Sequence, residues 1–73
     1  MASTDPKLLF GQRLALLRRE KGWSQEQLAL QSGMARSYLS GIERGQRNIS
    51  LQNIVKLART LEVRPSVLLD FSE

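Results

Sequence analysis

Helix start and stop signals recur so closely in this sequence that it can fold only as a set of short helices. Asp5-Pro6 places a capping carboxylate before a proline whose fixed φ suits the first helical position. Phe10, Leu14 and Leu17 then recur at helical spacing, with Leu9 and Leu16 on the flank. Gly22 follows the cationic stretch Arg18-Arg19-Glu20-Lys21, so a first helix is predicted from Pro6 to Lys21. Ser24-Gln25-Glu26-Gln27 has the spacing of a capping box, with Trp23 and Leu28 placed as a hydrophobic staple. A second helix is predicted from Gln25 to Ser32, ended by Gly33.

After a turn around Gly33-Met34-Ala35, a third helix is predicted from Arg36 to Arg44, stopped by Gly45. Ala35 is a poor cap and the apolar positions are few, chiefly Leu39 and Ile42, so packing must hold this helix. Ser50 caps a fourth, in which Leu51, Ile54, Val55, Ala58 and Leu61 give the strongest helical period in the chain, ending near Glu62. Pro65 opens a short fifth helix through Val67, Leu68 and Leu69, extending towards Phe71. No segment alternates with the period of a strand. The expected fold class is all-α: a compact five-helix domain over residues 6–71, behind a short flexible lead-in at 1–5.

Size and composition narrow the function. A chain of 73 residues buries only about 60% of its unfolded surface and has little room for both a core and a deep pocket. With no cysteine and no histidine, a disulfide framework, a thiolate nucleophile, a structural zinc site and histidine-dependent catalysis are all excluded. The seven acids are dispersed, with no pair at metal-ligand spacing on one face, so neither catalytic residue, metal, cofactor nor small-molecule ligand is expected. The longest apolar run, Leu14-Ala15-Leu16-Leu17, is far short of the ~20 residues of a membrane span, and the first residues do not read as a signal peptide. Cytoplasm is the default location.

The net charge of +4, carried by eleven basic side chains of which eight are arginine, favours an anionic partner. Arginine's planar fork suits phosphates and guanine edges. Two short helices joined by a glycine turn, the second exposing arginine and small polar residues, are the layout of a helix-turn-helix. On the third helix Arg36, Ser37 and Ser40 are placed to read base edges, and Gly41 leaves room for close approach. Tyr38 is either a half-buried core aromatic or a hydroxyl that reaches DNA. Gln25 opens the second helix, where amide and backbone N–H groups can hold a phosphate, while still serving to cap it. Arg44, Gln46, Arg47 and Asn48 form a second cluster of phosphate-directed donors. Glu43 would repel DNA unless paired, and Arg18 at the end of the first helix is the expected partner.

Gln25-Glu26-Gln27-Leu28-Ala29, Ser32-Gly33, Ile42-Glu43-Arg44-Gly45, Leu57-Ala58-Arg59-Thr60-Leu61 and Leu68-Leu69 together resemble the lambda-repressor and Cro type of helix-turn-helix domain, from about Phe10 to Leu69. The stretch from Arg36 to Leu51 more narrowly resembles the controller proteins of restriction–modification systems. That resemblance implies a homodimer on a palindromic operator, activating its own promoter at low concentration and repressing it at higher occupancy. It also implies base-reading positions at Arg36, Ser37 and Tyr38, a DNA-contacting loop arginine at Arg47, a phosphate-binding glutamine at Gln25 and a buried Arg18–Glu43 pair. Ala35 and Gly41 depart from the pattern of relatives, so no relative's operator preference transfers.

The expected function is therefore sequence-specific binding of double-stranded DNA to regulate transcription. Leu51, Asn53, Val67, Leu69 and Phe71 are the candidates for a dimer interface, with Leu68 more suited to the core. Glu62, Asp70 and Glu73 are candidate acidic contacts for RNA polymerase. Competing readings are a phage-type repressor, an antitoxin-like interaction module on the same fold, and a membrane-surface role for the basic Lys7–Lys21 segment.

Overall fold

The computed structural model describes residues 5–71. Five helices follow in order: α1 (Pro6–Glu20), α2 (Gln25–Ser32), α3 (Arg36–Glu43), α4 (Leu51–Leu61) and α5 (Pro65–Leu68), with no strand among the described residues. Residues 1–4 of the lead-in expected at 1–5 lie outside the described residues, and Asp5 is the α1 cap, its Oδ1 accepting from Lys7 N–H at 2.9 Å. The capping box is complete: Ser24 Oγ accepts from Gln27 N–H at 3.1 Å, and Gln27 Oε1 accepts from Ser24 N–H at 3.2 Å. Ser50 Oγ caps α4 by accepting from Asn53 N–H at 3.1 Å.

The second helix ends at Ser32 as expected, and the other four end slightly earlier than the sequence predicts. Lys21 is the cap of α1 rather than its last residue. Arg44 and Glu62 stand in the same relation to α3 and α4. The fifth helix stops at Leu68, beyond which Phe71 folds back half-buried onto the core. The end of α3 has the most consequence. Gly45 takes the left-handed conformation at φ 74°, Gln46 N–H donates to Gly41 C=O at 2.9 Å, and Gly45 N–H donates to Ile42 C=O at 3.0 Å. These two bonds are a Schellman turn, which satisfies the last carbonyls and turns the chain back. Gly45 is fixed twice over, because a Cβ there would lie 2.8 Å from Leu8 Cα.

All five helices contribute to one core: Phe10, Leu14 and Leu17 from α1, Leu28 from α2, Leu39 and Ile42 from α3, Leu57, Ala58 and Leu61 from α4, and Leu68 from α5. Burying each leucine side chain contributes about 1.5–3 kcal/mol, the main source of stability in a domain this small. Phe10, Leu14 and Leu17, the apolar stripe of α1, are buried here in the packing role, while Leu16 on its flank stays 43% exposed. Among the described residues no helix is long and apolar enough to cross a membrane.

Close approaches at Gly11 and Arg13 set how α1 meets its neighbours. Gly11 lies against the backbone of α3: a Cβ there would collide with Ile42 C=O and stand 2.6 Å from Glu43 C=O. Arg13 Nε donates to Val67 C=O at 2.8 Å, binding the four-residue α5 to α1.

Candidate nucleic-acid interface

Helix α3 carries the surface that the sequence marks for DNA. It is an eight-residue helix, and an α-helix with its side chains, about 10–12 Å across, fits the ~12 Å width of the major groove. Leu39 and Ile42 turn inwards, and Arg36, Ser37 and Arg44 are exposed, with Ser40 half-buried beside them. Ala35 offers no side-chain cap, so the positive end of the helix dipole stays beside Arg36. The preceding turn is tied down by Gly33, at φ 73° with its N–H on Ala29 C=O, and by Ser32 Oγ, which accepts from Met34 N–H at 3.3 Å.

Glu43 is held from behind by Arg18. Arg18 Nε donates to Glu43 Oε2 at 2.8 Å and Nη2 to Oε1 at 3.0 Å, while Nη1 donates to Trp23 C=O at 2.8 Å. Both side chains are nearly inaccessible, 10% and 5% exposed. The hydrogen bonds to Glu43 raise the Arg18 pKa above its ordinary value against the opposing effect of burial, so the guanidinium is charged at every relevant pH. The acid on the basic face is thereby neutralised.

Gln25 joins this pair: its Nε2 donates to Glu43 Oε1 at 3.0 Å. One hydrogen of the side-chain amide is occupied by Glu43, which leaves its second N–H and the helix N-terminus for any phosphate. Gln25 and Arg44 line one cleft with Gln12 and Arg19 of α1. Sequence reasoning missed the last two, although Arg19 next to Arg18 was a visible signal once the pair turned Arg18 inwards.

Tyr38 lies half-buried, and its hydroxyl accepts from Asn53 Nδ2 at 3.0 Å, joining α3 to α4. Gln46, Arg47 and Asn48 are exposed in the loop after the Schellman turn. Arg47 does not project away from the fold. Its stem lies on Gly41, within 3.1–3.2 Å of where a Cβ would stand, and its guanidinium carbon is 6.0 Å from the centre of the Tyr38 ring. The space over Gly41, expected to admit DNA, is filled by this side chain.

The residues proposed for a dimer face divide. Leu51 and Leu69 are 74% and 46% exposed, whereas Val67 and Phe71 pack partly against the core and Asn53 is engaged with Tyr38. Leu68 is fully buried. Leu69 and Phe71 border a groove with Ile49 and Ile54. Glu62 is exposed and bonded to Lys21 Nζ at 2.7 Å, and Glu73 lies outside the described residues.

The helix-turn-helix family model matches residues 14–68, most of the chain and the whole of the α2–α3 unit. This chain belongs to the helix-turn-helix family. It is 49% identical over 67 residues to the control protein C.BamHI of Bacillus amyloliquefaciens, covering 90% of this chain and 83% of that protein. The crystal structure of the restriction–modification controller protein C.AhdI from Aeromonas hydrophila superposes with a TM-score of 0.83 and 58% identity, over 85% of this chain and 94% of that one. The controller protein C.Esp1396I, crystallised as a tetramer with its natural 35-base-pair operator, superposes with a TM-score of 0.82 at 32% identity, over 93% and 90% of the two chains. The family is one of DNA-binding transcription regulators and not of enzymes.

Proposed function

We propose that this chain is a sequence-specific regulator of transcription that binds a palindromic operator as a homodimer and controls restriction–modification genes, its own promoter among them. The observation that carries the reading is the exposure of Arg36 and Ser37 at the uncapped start of α3, on a helix anchored from behind by Arg18 and Glu43. A helix that reads bases must hold its register to within a fraction of an ångström, and a buried bidentate ion pair supplies that rigidity. The likeness to control proteins, one of them crystallised on its operator, supports the same reading.

In this arrangement Arg36 reads a guanine edge, with Ser37, Ser40 and Tyr38 beside it. Gln25, Arg44, Gln46, Arg47 and Asn48 hold phosphates, and Gln12 and Arg19 extend that set from α1. Leu51 and Leu69 supply exposed apolar surface for the partner protomer, next to the groove of Ile49, Ile54, Leu69 and Phe71. Two protomers then address half-sites about 10–10.5 base pairs apart. Activation at such an operator requires contact with RNA polymerase, for which Glu62 and Asp70 are the acidic candidates in the described residues. The protein works in the cytoplasm, without cofactor or catalytic step.

Selection of bound duplexes from a random pool at about 150 mM salt tests this reading. The expected result is an enriched palindrome with half-sites one helical turn apart. A pool that stays random through successive rounds would overturn it.

A further inference from the structure

A glycine inside a helix of only eight residues needs a reason, since alanine there would favour the helix. Gly41 is buried, and what buries it is the stem of Arg47. Three consecutive atoms of that side chain, Cγ, Cδ and Nε, lie 3.1–3.2 Å from the position a Cβ would take. The seat has a second wall in Tyr38, whose ring stands 6.0 Å from the guanidinium carbon and is fixed by the 3.0 Å hydrogen bond from Asn53 to its hydroxyl. The backbone leading to Arg47 is equally constrained. The Schellman turn at Gly45 and the close approach of Gly45 to Leu8 determine where the loop begins. A loop residue is thus laid back along the recognition helix towards its N-terminal half, where Arg36 and Ser37 are exposed.

We propose that Gly41 is a positioning residue for DNA recognition: it acts through Arg47, by giving that side chain a flat seat on α3, and not by making room for the DNA. This rests on the DNA-binding reading above. A flexible arginine on an open loop would lose conformational entropy on binding, and one already lying on the helix has less to lose. A methyl group at position 41 meets three stem atoms at 3.1–3.2 Å and shifts them by a few tenths of an ångström, which disturbs the seat of Arg47 against the Tyr38 ring, while the fold keeps or gains stability because alanine is the better helix former.

The experiment is a double-mutant cycle on the palindromic duplex selected by the wild-type protein, using Gly41→Ala, Arg47→Ala and the double variant, with thermal unfolding measured alongside. Arg47→Ala is expected to weaken specific binding by roughly 5- to 100-fold. Gly41→Ala is expected to weaken it by at least about threefold at an unchanged or higher unfolding temperature, and to have no further effect once Arg47 is alanine. Equal losses from Gly41→Ala in both backgrounds would mean that DNA meets position 41 directly, and would overturn the proposal. Wild-type affinity in Gly41→Ala would overturn it as well. A wild-type protein that selects no duplex would remove the DNA-binding reading itself, a result distinct from either.

Discussion

Arg18 on α1 and Glu43 on α3 meet in a two-point ion pair, at 2.8 and 3.0 Å, that both positions the recognition helix and neutralises the acid it carries. The third arm of the guanidinium reaches Trp23 C=O, and Gln25 completes the coordination of the carboxylate. The beginning of α2, the end of α3 and the last turn of α1 are therefore held at one point. Buried polar groups of this kind serve their fold only when fully satisfied, and no buried side-chain nitrogen or oxygen among the described residues lacks a partner.

Glu43→Ala is expected to lower the free energy of unfolding by about 3–5 kcal/mol, because it leaves Arg18 buried and charged without its partner. Urea denaturation of the DNA-free protein measures this. Replacing both residues together, as Arg18→Met with Glu43→Leu, is expected to recover most of the loss. A single variant as stable as wild type would show that the pair does not hold the helices.

Gly11→Ala is expected to destabilise the fold although it sits in the middle of a helix. Helix propensity favours alanine by about 1 kcal/mol, but the added carbon would meet the rigid backbone carbonyls of Ile42 and Glu43. A net loss of about 1–2 kcal/mol follows, seen as a fall of several degrees in the unfolding midpoint. A rise in the midpoint would mean that α1 and α3 do not approach so closely.

How much of this was legible in the sequence depends on the range of the interaction. Capping is local, so Asp5-Pro6, the Ser24 box and the glycines at 22, 33 and 45 place the helix ends to within a residue or so, and the five-helix fold follows. Interactions across the fold are harder. Gly11 falls on the same stripe as Leu14 and Arg18, which was a usable signal for a close helix crossing. Nothing in the sequence announces Arg13 on the carbonyl of Val67, since a backbone acceptor has no residue type. The return of Arg47 onto Gly41 depends on the geometry of the Schellman turn, and composition carries none of that.

Arg19→Ala tests the cleft shared by α1, α2 and α3. With Arg19 holding a phosphate as proposed, the variant is expected to lose affinity for every duplex alike and to reduce the slope of log affinity against log salt by about 1. Fluorescence titrations at several salt concentrations read both quantities. An unchanged slope would place Arg19 outside the interface.

Glu62 supplies a dependence on pH. It sits in the left-handed conformation at the end of α4, and the hydrogen bond and charge of Lys21 hold its carboxyl below the ordinary value. A carboxyl with a depressed folded-state pKa contributes stability in full above its unfolded value, about 4.3, and loses it as pH falls through the folded value. Glu62→Gln is therefore expected to unfold at a slightly lower temperature than wild type at pH 7, the two midpoints converging as pH falls through the folded-state value of the carboxyl. Added salt should narrow the gap at pH 7, because the pair is exposed. A gap that persists at low pH would contradict the assignment.

The central claim is that α3 reads sequence through Arg36, and the ratio of operator to scrambled-duplex affinity measures it most directly. Titrated side by side at about 150 mM salt, wild type should prefer its operator by ~10³-fold or more. Arg36→Ala should lose about 1–3 kcal/mol of that preference, concentrated at one base pair of each half-site, and keep its affinity for the scrambled duplex. Equal losses on both duplexes, with the ratio intact, would contradict a reading role and leave Arg36 as one more positive charge.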